Sequence, residues 1–191
     1  MTASATTPAR FRPGSTAKVG LLTVIASEIF FFATALSAYF FLRLEHPEWS
    51  LPAQTPTGML VPSLNTLLFL ASALVIWQAQ RAIAADRLRA AQMALGSTFI
   101  LGLIFIAGQV FDFSQSGLRP DDGAFGGIFM ALIAFHAFHV LAGMLYLGLT
   151  FARARLGDFS ADHHTSITLC AWFWYFVVAV WLALFGALYL V

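Results

Sequence analysis

Cysteine and charge are both scarce in this chain. Cys170 is the one cysteine among 191 residues, which excludes a disulfide-stapled scaffold. Charged residues make up 10% of the sequence, against roughly 25% in an ordinary soluble domain. Ten Lys and Arg against nine Asp and Glu leave a formal net charge of +1. A disordered chain would be polar and charged. A nucleic-acid binder needs cations gathered on one face, and ten scattered ones do not make that face, so no nucleic-acid partner is expected. No glycine-rich phosphate loop and no nucleophile–base pair are present, so no catalytic residue is assigned. What the chain has in abundance is apolar: 60% of its residues are hydrophobic, including 20 Phe and 5 Trp. A water-soluble globule of this length could not hide so much apolar surface. Its solvent is mostly lipid.

A membrane helix needs about 20 largely apolar residues to cross roughly 30 Å of hydrocarbon. Five stretches qualify: residues 19–42, 61–80, 93–111, 125–151 and 167–191. Pro62 suits the first turn of the second, where its missing N–H costs nothing. Polar connections lie between them, and Gly and Pro gather in the two outer ones, as turns require. The reading is an all-α polytopic membrane protein: one membrane domain of five transmembrane helices over residues 19–191, after a cytoplasmic tail of residues 1–18.

The cations set the orientation. With the N-terminus inside, Arg10, Arg12, Lys18, Arg81, Arg87, Arg89, Arg153 and Arg155 all fall on the inner side, and Arg43 and Arg119 outside. The positive-inside rule therefore favours N-in and C-out. The first 18 residues lack an acid but lead into a span too long for a signal-peptide core, so they read as an uncleaved tail. No internal repeat of the kind seen in inverted-repeat transporters is visible.

In lipid the informative residues are the polar ones. Glu28 lies about 14 Å from the inner end of the first span, at 1.5 Å per residue. A carboxylate near the bilayer centre costs several kcal/mol unless it is paired or protonated. Two readings stay open: a hydrogen-bonded packing acid, or a group that handles protons or meets lipid or a partner subunit. His136 and His139 stand at i and i+3 in the fourth span, so both rings share one face. A structural zinc would want further Cys or His ligands, and a di-iron site would want Glu-x-x-His pairs on two helices. No metal site is therefore assigned, and hydrogen bonding across helices, to a partner or to lipid is the main expectation. Asn65 and Thr66 read as interhelical hydrogen-bonding residues, while Gln109 and Asp112 join Glu28, His136 and His139 as candidates for proton handling or for contact with lipid or a partner subunit. Asp112, at the outer boundary, is either a solvated loop acid or part of that polar set. Trp172, Trp174, Tyr175 and Tyr189 read as interfacial aromatics.

These residues sit in five ordered blocks: Ser27-Glu28-Ile29-Phe30-Phe31-Phe32, Pro62-Ser63-Leu64-Asn65-Thr66, Gln109-Val110-Phe111-Asp112-Phe113, Phe135-His136-Ala137-Phe138-His139-Val140, and Ala171-Trp172-Phe173-Trp174-Tyr175-Phe176. Together, over residues 19–191, they resemble subunit III of the haem–copper (cytochrome c or quinol) oxidases in its short five-helix bacterial form. The resemblance implies an accessory, non-redox subunit beside subunit I, the chain that reduces dioxygen to water and pumps protons. It further implies contact with subunit II and other respiratory-complex subunits, bound phospholipid and other membrane lipids as partners, and support of proton uptake. It implies protection of the catalytic site against turnover inactivation, and a place in the bacterial plasma (inner) membrane. Haem and copper would belong to the partner subunits. Glu28 matches the family's buried glutamate, His136 and His139 its histidine block, and Gln109 and Asp112 its Gln-x-x-acid pattern. The family often has His where Tyr175 stands and Asp where Val178 stands. Its long forms add two N-terminal helices that wall a lipid cleft; this sequence shows no such pair, so a cleft of that kind would need a wall from another chain.

Two alternatives belong to other classes. One is a subunit III-like protein of a nitric oxide reductase. The other is a haem-binding membrane anchor, which needs histidines facing each other across helices; His136 and His139 lie on one face of one helix. A small transporter or channel rests on Glu28 and the helix count alone.

Overall fold

The computed structural model describes residues 13–45, 58–116 and 123–190. These form five long helices: α1 (Pro13–Glu45), α2 (Leu60–Ala84), α3 (Leu88–Ser116), α4 (Gly123–Arg155) and α5 (Thr165–Phe185). A π-helical turn, Gly186–Leu190, extends α5. All five are long and apolar enough to cross a bilayer. This follows from the solvent: in hydrocarbon no water satisfies backbone N–H and C=O, so a spanning segment must close its own hydrogen bonds. Among the described residues there is no strand.

The helices run past the apolar windows of the sequence, by about six residues at the start of α1 and five at the start of α3. A helix does not end where hydrocarbon ends; it ends where a cap stops it. Residues 13–18 of the expected tail are thus the first turns of α1. Residues 1–12, 46–57 and 117–122, with Arg10, Arg12 and Arg119, lie outside the described residues.

Two short connections share one mode of closure. At the end of α2, Asp86 adopts φ 56°. Its N–H donates to Ile83 O at 2.9 Å, and Arg87 N–H donates to Ala82 O at 2.9 Å. At the end of α4, Gly157 adopts φ 83°. Gly157 N–H donates to Ala154 O at 3.1 Å and Asp158 N–H to Arg153 O at 3.2 Å. Both are the paired bonds of a Schellman cap, which needs a left-handed residue after the helix. Glycine takes that conformation freely and Asp is one of the few side chains that tolerates it. The connections touch: Asp86 Oδ1 accepts the Ala161 N–H at 3.2 Å. They therefore close the same end of the bundle.

α5 is the centre. It packs on α2, α4 and α1, while α3 bridges α2 and α4. Trp174, Trp181 and Leu184 on α5 are fully buried. α1 leans on α4 and α5 and leaves Val19, Leu22, Ile29, Phe30, Phe40, Phe41 and Leu44 exposed. With lipid or a neighbouring chain outside, an apolar outer surface is the stable one.

Candidate functional site

Close helix approach is made by glycine. A Cβ at Gly102 on α3 would meet Trp174 Cη2 at 2.9 Å, and one at Gly143 on α4 would meet the same ring at 3.2 Å. The Trp174 indole is therefore clasped between two glycines on facing helices, the small-residue packing typical of membrane bundles. Its N–H donates to Ser72 Oγ on α2 at 2.9 Å. Seven residues further along α5, Trp181 Nε1–H donates to Thr66 Oγ1 at 2.9 Å, and that hydroxyl donates to Pro62 O. Tyr175 OH donates to Gln80 Oε1 at 2.8 Å. Three aromatic donors thus seam α5 to α2. Trp174 and Tyr189 are 0% and 6% exposed, so the interfacial position read for them from sequence is a core position. Their apolar rings fill the bundle and their single donors find acceptors inside it.

The remaining polar residues assemble in two places. Towards the end of the bundle away from the short connections, Asn65 Nδ2 donates to Phe105 O and to Gln109 Oε1, both at 2.9 Å. One turn beyond Gln109, Asp112 remains helical and buried. Its Oδ2 accepts the Tyr189 hydroxyl at 3.2 Å, presented by the π-helical turn. Asp112 thus belongs to the polar set rather than to a loop.

The second place joins α1 to α4. Glu28 Oε2 lies 3.2 Å from His139 Nε2. His139 Nδ1 lies 2.7 Å from Phe135 O. A carbonyl only accepts, so Nδ1 carries a hydrogen, and Nε2 faces the carboxyl. A hydrogen bond across the Glu28–His139 contact needs one hydrogen, either on the carboxyl and donated to Nε2 or on Nε2 and donated to the carboxylate. In either form the pair is neutral overall, which is what a low-dielectric site requires. Phe32 edges the His139 ring at 5.2 Å between centroids, and Phe31 meets Phe135 at 4.9 Å. The Glu28 side chain keeps 30% of its surface exposed, His139 11%. The pair is closed on the bundle side and open on the outer face, between exposed Phe31, Phe135 and Phe138.

His136, one turn away, goes elsewhere. It is buried, its ring tilted against Trp181 at 5.3 Å and edged by Phe69 and Phe105 at 6.2 Å each. Neither ring nitrogen meets a hydrogen-bonding group among the described residues. The two histidines share a helix face and yet have different surroundings, because α1 covers the one and α2 and α3 cover the other. Among the described residues, no three His, Cys, Asp or Glu side chains converge as metal ligands. The sequence reading gave no role to Ser72, Trp181 or the glycines facing Trp174, and put Trp174 itself at the interface. The signal was present in spacing: seven residues separate the two Trp on α5, and six separate Thr66 from Ser72 on α2, about two helical turns on each partner.

Known proteins resemble this chain over most of its length. The sequence pattern of the family described as cytochrome c oxidase subunit III matches residues 10–191. The chain is 32% identical over 173 residues to a cytochrome c oxidase subunit 3 of Thermostichus vulcanus, covering 90% of this chain and 86% of that one. It is 33% identical over 180 residues to that of Pylaiella littoralis, where it spans 65% of the relative's length. It is 33% identical over 178 residues to the Homo sapiens protein, of which it spans 68%. Agreement over this much of the chain goes beyond shared hydropathy: the chain belongs to the cytochrome c oxidase subunit III family.

Proposed function

We propose that this multi-pass membrane chain is the accessory subunit III of a respiratory haem–copper terminal oxidase. It stabilises subunit I, holds lipid, and supports proton uptake and sustained turnover. The observation that carries the reading is the Glu28–His139 pair, a proton-sharing contact in mid-helix that opens onto an outer face of the bundle. A neutral acid–imidazole pair gives a partner subunit or a lipid a polar anchor without burying net charge. We place subunit I, with subunit II in the same complex, against the face that bears Glu28. The relatives named above are all oxidase subunits, which supports this branch over the nitric oxide reductase one.

We also propose that haem and copper reside in the partner chains. His139 uses Nδ1 for Phe135 O and Nε2 for Glu28. His136 is enclosed by Trp181, Phe69 and Phe105. The ring nitrogens of His139 are both engaged and those of His136, though unpartnered, are walled in by aromatic rings, which speaks against a haem-binding anchor. The orientation we propose is N-in and C-out in a bacterial plasma membrane. It is supported by Arg81, Arg87, Arg89, Arg153 and Arg155, which gather at the two connections joined by the Asp86–Ala161 bond.

The test is a native purification of the chain with Glu28→Ala and Glu28→Gln variants. The wild-type chain should bring down a haem-bearing subunit I and show no Soret band when separated from it. Glu28→Ala should leave the initial oxidase rate unchanged while activity decays sooner during sustained turnover, and Glu28→Gln, which still donates to Nε2, should decay less. Complete loss of the initial rate in a fully assembled Glu28→Ala complex would refute the accessory role.

A further inference from the structure

Among the described residues, the bundle interior holds one polar side chain that no protein group satisfies. His136 on α4 is 2% exposed, and neither Nδ1 nor Nε2 has a hydrogen-bonding partner there. Polar side chains on the surrounding helices are paired. Trp181 Nε1–H donates to Thr66 Oγ1, Thr66 Oγ1–H donates to Pro62 O, and Asn65 donates to Phe105 O and Gln109 Oε1. His139, one turn on, engages both of its ring nitrogens. An uncharged imidazole carries one N–H donor and one bare nitrogen acceptor in either tautomer. Folded proteins leave very few such buried atoms unmet, because burial takes away the bonds that water supplied.

The surroundings narrow what can reach the ring. It lies tilted at 31° against Trp181 on α5, 5.3 Å between centroids. Phe69 on α2 and Phe105 on α3 stand nearly perpendicular to it, each at 6.2 Å. Those two Phe rings stack on each other at 3.9 Å, so the spacing around the imidazole is the looser one, towards the long end of aromatic contacts. An N–H aimed at an aromatic face gains a weak contact. The bare nitrogen needs an N–H or O–H donor. Of these three rings only Trp181 carries one, and it is spent on Thr66. Thr66 Oγ1 accepts that bond and donates its own hydrogen to Pro62 O, which leaves it one acceptor lone pair. Thr66 and His136 thus flank one indole, the first at its N–H and the second against its ring, and each has an acceptor open.

We propose that His136 holds a buried water molecule, a hydration site enclosed by α2, α3, α4 and α5. The water donates one hydrogen to the bare ring nitrogen and the other to Thr66 Oγ1. Two open acceptors call for a ligand with two donors and no charge, and water is the smallest one. Buried waters serve this role in proteins, bonding polar groups that the chain itself leaves unmet. A metal ion is the wrong occupant, because it wants further ligands and no three His, Cys, Asp or Glu side chains converge among the described residues. The water gives α4 a polar tie to α2 and lets a lipid-embedded helix carry a histidine that has no protein partner. The site lies inside the bundle, whereas the Glu28 pair joins α1 to α4 and opens outward, so it stands independently of the subunit role proposed above.

The test has two arms. The first is a density map of the full chain, purified in its native membrane assembly, at a resolution that shows ordered waters. One peak should lie about 2.7–3.2 Å from both a His136 ring nitrogen and Thr66 Oγ1. A map that shows other buried waters and none here would overturn the proposal, as would a His136 nitrogen bonded to a protein atom. The second arm is reversible unfolding of the full chain in mixed micelles, with His136→Phe, Thr66→Val and the double variant. Phe keeps the ring and drops both nitrogens, so around a dry His136 it should stabilise the chain. With the water present, His136→Phe strands the bond to Thr66, and the folding constant should fall about five-fold. The double variant should lose less than the product of the two single losses, because one water serves both residues. A His136→Phe chain as stable as wild type or more so would overturn the hydration site, and independent losses would overturn the bridge to Thr66. If the variants fail to fold, the map of the wild-type chain decides.

Discussion

Gly108→Ala is a severe substitution for one added methyl group, and the structure says why. A Cβ at Gly108 would stand 2.5 Å from Asn65 Oδ1, 2.8 Å from its Cγ and 2.9 Å from Nδ2. Asn65 cannot retreat without losing its bonds to Phe105 O and Gln109 Oε1. Interhelical hydrogen bonds in membrane bundles are worth about 0.6 kcal/mol each, so losing both costs about 1.2 kcal/mol. Overpacking a filled site adds about 1–3 kcal/mol. Better helix propensity returns up to about 1 kcal/mol for Ala over Gly. The net is a destabilisation of about 1–3 kcal/mol. Asn65→Ala alone should cost about 1.2 kcal/mol. In the double variant the clash is gone, and Gly108→Ala on that background should be neutral or stabilising. The cycle therefore has a large coupling in which the second change relieves the first. Reversible unfolding of the full chain in mixed micelles, followed by circular dichroism across all four proteins, measures it. Additive costs, or a Gly108→Ala chain as stable as wild type, would refute the close-packing argument.

Two other predictions concern backbone and burial. Gly157→Ala should destabilise by about 1–2 kcal/mol from conformation alone, because φ is +83° and nothing lies within 4 Å of the new Cβ; Gly20→Ala in α1, with equally open space and no positive φ, should be neutral or better. Cys170 is 1% exposed, so maleimide labelling should be slow in the native chain and complete once detergent unfolds it; rapid stoichiometric labelling of the native chain would contradict the packing of α5.

The polar residues show how far a sequence can be read in a membrane protein. Glu28, Asn65, Gln109 and His139 stand out because lipid makes each of them costly. That penalty is local, so it can be seen residue by residue. Which of them meet is a matter of helix rotation and register. His136 and His139 differ by one turn, yet α1 brings Glu28 to the second while the first is enclosed by aromatic rings. Trp174 and Tyr189 look interfacial by position along the chain, but an indole or phenol is equally at home in a core that offers one acceptor. Ser72 and Asp112 are those acceptors, and they lie 102 and 77 residues away in sequence.

The sequence by itself determined that five helices cross lipid, because an unbroken apolar run and an internally bonded backbone are requirements of one segment at a time. It also marked the polar positions that lipid tolerates only for a reason. The tertiary structure alone decided that α5 occupies the middle, that glycines on α3 and α4 clasp Trp174, and that Glu28 on α1 comes within 3.2 Å of His139 on α4. Those outcomes depend on how helices far apart in sequence rotate against one another, and the packing of small residues against large ones sets that rotation.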